Sequence, residues 1–437
     1  MTEEIKTRID SIRKGEVPNG YSEGVAGILP NDWTSKPLSE ISEVIAEQAG
    51  DDDYETLSIS AGIGFVNQAQ KFGKELSGKQ YKKYIVLRKG DFAYNKGNSK
   101  RYPQGCTYRL KERDEAAVPN VFECFRITEG CPEYYEQLFI SGFMNRQLTQ
   151  KINHGVRDDG LLNLTDEDFY STVLPVPSLA EQKKIAEILS ACDREIELKS
   201  AEIMRLKSLK QSLTDQMFVR SGAVLPILRF PGFSAEWKKH KLLSCIDRII
   251  DFRGRTPKKL GMEWSEKGYL ALSALNVKDG YIDFSQDVHY GDYALYSRWM
   301  NGNELHKGQV VFTTEAPMGN VAQIPDDNGY ILSQRTIAFE VKTDVLTEDF
   351  LAIILRTPSV VAVLNALSSG GTAKGVSQKT LSTVDIIIPS DLKEQQKLSS
   401  FFSTLNQMLS LNQHTLEMLK NRKKALMQFL LTGVVRV

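Results

Sequence analysis

The stretch Pro177–Ser190 reads P-S-L-A-E-Q-K-K-I-A-E-I-L-S, and it recurs at Pro389–Ser403 as P-S-D-L-K-E-Q-Q-K-L-S-S-F-F-S. From Glu181 and Glu394 onward the two copies stay in register without a gap over the length of a helix. An internal duplication is the economical explanation. The chain is therefore expected to contain two similar halves, and its function to have two similar parts.

Each copy predicts a long helix that follows a proline and contains neither glycine nor proline. Apolar residues recur in both at steps of four and three, the spacing of a coiled-coil seam. Lys199 and Asn412 interrupt the two seams at matching places, and such residues can fix the register of a helix pair, which favours mutual packing over two helices on separate cores. The predicted seam residues are Ile185, Leu189, Ile196, Ile203, Leu206 and Leu213, and Leu398, Phe402, Leu409, Leu416, Leu419 and Leu426.

The repeat extends beyond the helices, since Asp32-Trp33 resembles Glu236-Trp237 and Ser171-Thr172-Val173 recurs as Ser382-Thr383-Val384. We predict an α+β fold in which two similar mixed α/β globular domains are separated by two long helices packed as an antiparallel coiled coil, with internal pseudo-two-fold symmetry. The helices should be antiparallel because the first leaves domain 1 and enters domain 2, and the second must return. The predicted boundaries are an N-terminal extension at 1–30, globular domains at 31–177 and 223–389, and spacer helices at 178–222 and 390–437.

Composition bounds the class of protein without naming a partner. The 437 residues are 41% hydrophobic and 25% charged, enough for two or three cores. The most apolar run, 350–367, is broken by Arg356 and Pro358, and the N-terminus lacks a signal-peptide pattern, so we expect a cytoplasmic protein with no membrane partner. The five cysteines form no C-x-x-C pair, which indicates reduced thiols and no zinc site.

The formal net charge is zero, but residues 71–113 hold 13 Lys and Arg against three acidic residues. Tyrosines interleave with these cations, and the loop 95–101 (N-K-G-N-S-K-R) offers side chains that can neutralise phosphates or reach base edges in the major groove of DNA. The predicted DNA-binding residues of the first half are Tyr94, Asn95, Lys96, Asn98, Lys100, Arg101, Arg109 and Arg157.

The second half carries a sparser basic set in a loop that contains glycine and proline, D-F-R-G-R-T-P-K-K-L, and at two later places. A solvated basic face is the alternative for either set alone. Basic sets in both halves favour nucleic acid. The predicted DNA-binding residues here are Arg253, Arg255, Lys258, Lys259, Gln334, Arg335 and Lys374.

Catalytic patterns are sparse, so we predict no catalytic residue and no metal site in this chain. The lone G-x-G at 62–64 lacks the third glycine of a cofactor loop, and no adenine-methyltransferase N-P-P-Y motif is present. Asp326, Glu340 and Lys342 imitate the acid, acid, lysine pattern of a metal-dependent nuclease, but such short combinations arise by chance in a long chain.

Four motifs in this order resemble the DNA-specificity subunit of type I restriction-modification systems: the P-x-G-Y opening at Pro18–Tyr21, the E-Q-x-K helix from Glu181 to Leu213, F-P-G-F-x-x-x-W at Phe230–Trp237 and the closing Leu431-Thr432-Gly433. The resemblance implies two target-recognition domains that each read one half of a bipartite, asymmetric site in double-stranded DNA. It also implies helices that set the gap between the half-sites.

The same resemblance implies that this chain is not an enzyme. Two adenine methyltransferase subunits and the restriction/translocase subunits would be its partners, and S-adenosylmethionine, ATP and Mg²⁺ would bind to those partners. An adaptor with a coiled-coil stalk and no DNA function is the alternative, but it leaves the duplicated basic domains without a role.

Overall fold

The computed structural model describes residues 2–69, 78–97, 102–152, 161–219, 222–286, 288–368 and 375–437. These residues form two compact units, Met1–Ser200 with His414–Val437 (unit 1) and Ala201–Gln413 (unit 2). Each unit contains part of both long helices. The predicted boundaries treat each long helix as a segment of its own, and they remain a prediction.

Unit 1 is built mainly from short antiparallel strands. Its strands are β1 Tyr21–Gly24, β2 Gly27–Pro30, β3 Thr34–Pro37, β4 Ser42–Val44, β5 Leu57–Ser60, β6 Gly64–Asn67, β7 Ile85–Arg88, β8 Phe92–Asn95, β9 Cys106–Arg109, β10 Glu115–Val118, β11 Glu123–Ile127 and β12 Val173–Val176. Its helices are α1 Glu3–Arg13, α2 Leu38–Ile41, α3 Pro132–Ile140, α4 Asn145–Lys151 and α5 Asp166–Tyr170, followed by the first long helix, α6 Leu179–Met217.

Unit 2 has the same kinds of element. Its strands are β13 Lys238–Lys241, β14 Ile246–Asp251, β15 Tyr269–Leu272, β16 Val277–Lys278, β17 Tyr281–Ile282, β18 Tyr290–Gly291, β19 Val310–Thr313, β20 Val321–Gln323, β21 Tyr330–Leu332, β22 Thr336–Val341 and β23 Asp385–Ile388. Its helices are α7 Tyr293–Met300, α8 Glu348–Ile354, α9 Pro358–Leu367 and α10 Gln378–Leu381, followed by the second long helix, α11 Leu392–Leu430.

The central sheet occurs once in each unit with the same topology. In unit 1 the strand order is β4-β11-β8-β9, and in unit 2 it is β14-β22-β19-β20, with every neighbouring pair antiparallel. The strand that leads into each long helix also pairs alike, β12 with β3 and β23 with β13. These matching pairings confirm the predicted duplication and the mixed α/β fold class.

The ends of the long helices pack into the cores of the units. Ile185, Leu189 and Leu430 belong to the apolar core around Phe125 in unit 1. Leu398 and Phe402 belong to the core around Phe350 in unit 2. All the predicted seam residues are buried or partly buried. The long helices therefore serve both as core elements, at their ends, and as partners for each other.

The two helices run antiparallel within each unit. In unit 1 the Lys423 ammonium lies 2.6 Å from an Asp193 carboxylate oxygen, and Arg422 contacts Glu195, so the residue number falls along one helix as it rises along the other. In unit 2, Leu213 near the end of the first helix packs against the apolar core that contains Leu398, near the start of the second. This agrees with the antiparallel packing expected from the order of the elements.

The repeated Glu-Gln pair anchors the start of each long helix. The Gln182 side-chain oxygen accepts a hydrogen bond from the backbone N–H of Cys131 at 2.8 Å, and its amide nitrogen donates to the Pro177 carbonyl at 2.9 Å. Gln395 accepts from the Thr347 N–H at 2.9 Å and donates to a carbonyl in the same way. Each glutamine thus satisfies a backbone N–H at the N-cap of a domain helix, where no partner within that helix is available.

The N-terminal segment of unit 1 binds the C-terminal tail. The Tyr21 hydroxyl donates to the Gly433 carbonyl at 2.7 Å, and Arg8 donates to the Val434 carbonyl at 2.7 Å. Gly433 has φ +67°, and a Cβ there would lie 2.5 Å from Pro30 Cγ. The closing L-T-G motif therefore needs its glycine both for the left-handed conformation and for close packing.

Within the described residues, no individual helix combines the length and apolarity needed to span a bilayer. The consecutive helices Glu348–Ile354 and Pro358–Leu367, bent by 68°, meet that criterion only as a pair.

Candidate nucleic-acid interface

Three loops of unit 2 leave the same end of its central sheet. Strand β14 ends at Asp251 opposite Ile337, and β19 ends at Thr313 opposite Thr336. The loop after β14, the loop after β19 and the loop before β22 must therefore meet at one edge. This edge carries the predicted residues Arg253, Arg255, Gln334 and Arg335, which are far apart in the sequence.

The backbone at this edge is strained. Ala316 and Arg335 have φ angles of 47° and 63°, values rare for residues with a side chain. The loop after β19 and the loop before β22 are joined by a hydrogen bond of 2.8 Å from the Thr314 N–H to the Arg335 carbonyl. Strain of this kind costs on the order of 1–3 kcal/mol and is concentrated at functional sites.

The side chain of Arg335 is available for a ligand. It is 52% exposed and lies 3.4 Å from Glu315, also in the strained loops. An exposed ion pair of this type contributes little to stability, about 0–1 kcal/mol, and exchanges partners readily. Gln334 beside it is exposed as well. Gln334 and Arg335 are therefore the polar side chains at this sheet end that are most accessible to a ligand.

The predicted basic loop after β14 divides into side chains held by the loop and side chains facing solvent. Arg253 donates to both carboxylate oxygens of Asp251. Burial raises the pKa of Asp251, but hydrogen bonds from Arg253 and from Gln378 outweigh it, so this pKa is lowered. Arg255 lies over the Phe252 ring, 4.2 Å from its centroid, and donates to a backbone carbonyl.

The two lysines of that loop differ in the same way. The ammonium of Lys259 donates to the Gly254 carbonyl at 2.7 Å and so helps to hold the loop. Lys258 is exposed.

Unit 1 presents the corresponding sheet end. The β8–β9 loop, which starts after Asn95, occupies the place of the β19–β20 loop in unit 2. The equivalence is fixed by hydrogen bonds: the Leu162 N–H donates to the Lys96 carbonyl at 2.8 Å, as the Val376 N–H donates to the Thr314 carbonyl at 2.9 Å. The predicted DNA-binding loop of the first half therefore begins where unit 2 has its strained loop.

Several predicted residues of unit 1 support this loop from inside. The Tyr94 ring is 1% exposed, is stacked on Phe169 at 4.4 Å between centroids, and its hydroxyl donates to the Gln104 carbonyl at 2.7 Å. The Asn95 side chain accepts from the Gly97 N–H at 2.7 Å. A buried ring cannot stack on a base in this conformation, so Tyr94 positions the loop from the core.

Lys96 is held between two carboxylates. Its ammonium lies 2.6 Å from Glu123 and 2.8 Å from Asp166, and its side chain is 11% exposed. Burial lowers the pKa of Lys96, but the hydrogen bonds with Asp166 and Glu123 outweigh this effect and raise it. Burial also raises the pKa of Glu123, while the Lys96 ammonium lowers the pKa of Asp166. Lys96 is thus a neutralised cation at the base of the loop.

Arg109 is likewise paired, with Glu133 at 2.5 Å and Glu136 at 3.1 Å. Asn98, Lys100, Arg101, Arg157 and Lys374 lie outside the described residues, and their contribution stays a prediction. The remaining predicted DNA contacts also stay predictions, but the structure separates supporting side chains, such as Lys96 and Arg255, from exposed ones, such as Arg335.

The residues of the nuclease-like pattern have other partners. Asp326 accepts a hydrogen bond from the Tyr330 hydroxyl at 2.8 Å, and Glu340 pairs with Arg248 at 2.7 Å. In the part of the chain that the structure describes, no group of three or more His, Cys, Asp or Glu side chains is arranged to hold a metal ion.

Sequence reasoning missed one pair of important residues. Arg229 donates to both oxygens of Glu394, and Arg436 does the same to Glu181, while Trp237 and Trp33 donate their indole N–H groups to the same two glutamates. The tryptophans and glutamates were visible as repeated motifs. The arginines were not, because they follow their helices at different distances.

Two similar units with polar loops at matching sheet ends can each present side chains to a separate segment of duplex DNA, as two-fold dimers do on their half-sites. The family model for the type I restriction modification DNA specificity domain matches residues 30–208 and 254–421. The chain therefore belongs to the type I restriction-modification DNA specificity family, as the sequence motifs predicted.

Two relatives illustrate this membership. The MjaVIII type I restriction enzyme specificity subunit of Methanocaldococcus jannaschii is 24% identical over 294 residues, which are 64% of this chain. The chain covers 65% of that relative, slightly less than two thirds. The putative MjaX specificity subunit of the same organism is 21% identical over 94% of this chain and 95% of its own length.

The fold is also shared with a solved structure, the S subunit of a type I restriction-modification system from M. genitalium. The TM-score is 0.58 at 12% identity, covering 95% of this chain and 97% of the other. None of these comparisons supports the adaptor alternative.

Proposed function

We propose that this chain is the DNA-reading subunit of a type I restriction-modification complex, with each unit reading one part of a bipartite, asymmetric site through the loops at its central sheet end. The observation that carries the proposal is the placement of the loop after β8 and the loop after β19 at equivalent sheet ends. The scaffold is common to both units while the loops differ in sequence, so two different half-sites are expected.

Arg335 is the strongest candidate for base recognition. A guanidinium can bind guanine O6 and N7 together in the major groove, and a good bidentate contact is worth about 1–3 kcal/mol of discrimination. The side chain is exposed, and its backbone is held by the Thr314 hydrogen bond. Phosphate contacts from Lys258 and from the loop 98–101 would supply affinity that depends on salt.

The two long helices would set the number of unread base pairs and dock methyltransferase subunits. Large apolar side chains lie exposed at places that the antiparallel register brings side by side. In unit 1 these are Leu198 (72% exposed) and Met418 (59%). In unit 2 they are Met204 (64%) and Leu411 (66%), with Leu209 and Met408 next along. Burying such side chains against a partner is favourable by roughly 25 cal/mol per Å² of apolar area.

In this proposal the chain performs no catalysis and acts in the cytoplasm. Methyl transfer with S-adenosylmethionine, and ATP- and Mg²⁺-dependent cleavage, belong to partner subunits. The number of methyltransferase subunits in the complex is proposed to be two, one for each half of the duplicated chain.

The proposal is tested by sequencing methylated adenines in cells that carry this chain with its methyltransferase partner. Arg335→Ala should relax the recognised sequence in one half-site and leave the other half-site and the gap unchanged. Arg248→Ala, which removes an exposed arginine of the same unit, is the matched control and should leave the motif unchanged. An unchanged motif in the Arg335 variant, or a change in both half-sites, would refute the assignment of one sheet end to one half-site.

A further inference from the structure

Unit 2 contains a polar groove that the DNA-reading loops do not use. Its volume is about 1090 Å³, and its walls are formed by both long helices, by the β16–β17 hairpin and by helices α8 and α9. Hydroxyl and amide side chains dominate the wall contributed by the second long helix, from Gln396 to Gln413. The cations of the lining are Lys207, Lys210 and Arg356, and the acids are Asp279 and Asp349.

Because the chain is duplicated, residues of this groove can be compared with their counterparts in unit 1. There, Lys423 on the second long helix pairs with Asp193 on the first at 2.6 Å. Asp193 also accepts a hydrogen bond from the Gln137 side chain at 2.9 Å. The lysine is 8% exposed, so this pair is a nearly buried and fully neutralised cation.

The ungapped register from Glu181 and Glu394 places Lys210 at the position of Lys423, and Asn406 at the position of Asp193. In unit 2 the amide of Asn406 therefore stands where unit 1 has the carboxylate that neutralises the lysine. Gln137 likewise has Ile353 as its counterpart on α8, counted from the matching helix starts at Cys131 and Thr347. Unit 2 has kept the cation of the pair and lost its anion.

The consequences are visible around Lys210. Among the described residues its ammonium has no hydrogen-bond or ion-pair partner, although the side chain is partly buried. Burial lowers the pKa of Lys210, and the positive charge of Arg356 lowers it further, while Asp279 raises it. Arg356 itself pairs with Asp279 at 2.5 Å, whose carboxylate is 67% exposed. Asp349, the other acid of the groove, accepts from Gln323 at 2.7 Å.

We infer that this groove of unit 2 is a binding site for a small phosphate-bearing ligand of nucleotide size, with Lys210 and Arg356 as the phosphate-binding side chains. The site goes beyond the proposed DNA-reading function and does not depend on it. An anion placed between these two cations takes the place that Asp193 occupies beside Lys423. Charge-assisted hydrogen bonds of this kind are among the strongest in proteins.

The rest of the lining fits a nucleotide better than a simple inorganic ion. The groove, at about 1090 Å³, is slightly larger than the usual small-molecule site of roughly 300–1,000 Å³. Ser403 and Asn406 offer hydroxyl and amide groups to phosphate and sugar oxygens. The Tyr281 ring at the margin is 59% exposed and can stack on a base. The possible ligands all carry a phosphate group. The experiment distinguishes a nucleotide from an inorganic polyphosphate.

The test is calorimetric titration of the purified full-length chain at low ionic strength with ADP, with pyrophosphate and with adenosine. Both phosphate compounds should bind and adenosine should not. ADP binding tighter than pyrophosphate identifies a nucleotide, and equal affinities identify an inorganic polyphosphate. Absence of binding by both phosphate compounds overturns the inference.

The decisive variant is Asn406→Asp, which restores the acid of unit 1 without removing a cation. It should weaken binding by about tenfold or more, because the new carboxylate neutralises Lys210. Gln428→Glu makes the same change in net charge on an exposed residue of unit 1, and it should bind as the wild type does. Lys210→Gln should also lose binding, which covers the case that Asn406→Asp does not fold. Equal affinities of the Asn406→Asp and Gln428→Glu proteins would place the ligand elsewhere and overturn the site.

Discussion

The Arg229 guanidinium donates to both carboxylate oxygens of Glu394, at 2.6 and 2.7 Å, and the glutamate side chain is 1% exposed. Arg229 follows the end of the first long helix, whereas Glu394 is the third residue of the second. Arg436, after the second helix, binds Glu181, the third residue of the first, in the same way. Because the helices are antiparallel, the arginine that follows one helix locks the start of the other.

Replacing Arg229 by Met should strongly destabilise unit 2. Among the described residues it leaves the buried Glu394 charge with the Trp237 indole as its remaining side-chain donor, and removal of one partner of a buried pair costs about 3–5 kcal/mol. The free energy of unfolding in urea measures the loss. Arg248→Met is the matched control, since its pair with Glu340 is exposed and contributes about 0–1 kcal/mol. Equal losses in the two variants would show that burial of the pair is not the source of its effect.

Replacing Lys96 by Met should lower stability without changing the salt dependence of DNA binding. The ammonium neutralises Glu123, which is 15% exposed, so its loss leaves a carboxylate in a mostly buried place. A lysine that contacts phosphate would instead reduce the slope of log K against log salt by about one when it is removed. Unfolding in urea and DNA binding at several salt concentrations check both halves of the prediction. A lower slope with unchanged stability would make Lys96 a phosphate contact.

Replacing Arg335 by Gly should separate backbone strain from DNA binding. Its φ of 63° suits glycine, so Arg335→Gly should be more stable than Arg335→Ala, on the order of 1 kcal/mol. Both variants lack the guanidinium and should lose DNA affinity to a similar extent. Unfolding and binding are measured on the same two proteins. Full DNA affinity in either variant would place Arg335 outside the interface.

Lengthening both long helices by one heptad should widen the unread gap in the DNA site. Seven residues inserted between Ile196 and Leu206, with seven in the facing stretch 410–420, preserve the seam and add about 10 Å of helix. At 3.4 Å per base pair this is about three more unread base pairs. The methylated motif in cells gives the gap directly. An unchanged gap, with both half-sites still recognised, would show that helix length does not set the spacing.

Replacing Glu348 by Gln should change the pH dependence of stability. Burial raises the pKa of Glu348, although the charge and hydrogen bond of His306 lower it. A raised pKa in the folded state means that the protonated form is favoured there. Its contribution is complete below the pKa of the unfolded chain, about 4.3, and is lost as pH rises through the folded value.

The wild-type protein should therefore lose stability relative to the Gln variant as pH increases through this interval. Urea unfolding of both proteins at a series of pH values gives the difference. A difference that is constant with pH, or one that grows in favour of the wild type, contradicts the sign of the pKa shift.

The sequence was most informative where the signal is repeated or periodic. The repeated P-S and E-Q pairs at 177–182 and 389–395, the four-and-three spacing of the seams and the matched polar positions all depend on residues near one another in the chain. They were sufficient to predict the two long helices. The antiparallel packing was predicted from the order of the elements, and the family from the resemblance of four short motifs. The basic loop at 95–101 begins at a sheet end, a position that its own residues could not reveal.

The tertiary structure decided which charged side chains are available to bind DNA. Sequence could not show that Lys96 is neutralised by Glu123 and Asp166 or that the Tyr94 ring is in the core, because those contacts join separate elements. The same holds for Arg335, whose neighbour Glu315 belongs to a different loop. A count of cations along the chain overestimates the number free to bind DNA.

The amino-acid sequence by itself determined that this protein is duplicated and that each half ends in a long seam-forming helix, because helical periodicity and repeats are properties of neighbouring residues. Four short motifs in a fixed order also predicted, by resemblance, a DNA-specificity family. Only the tertiary structure decided that Arg229 locks Glu394, 165 residues away, that three loops of unit 2 meet at one sheet edge, and that Lys210 lacks the acid its twin Lys423 keeps. Ion pairs and loop clusters of this kind depend on distances in space, which separation along the chain does not determine.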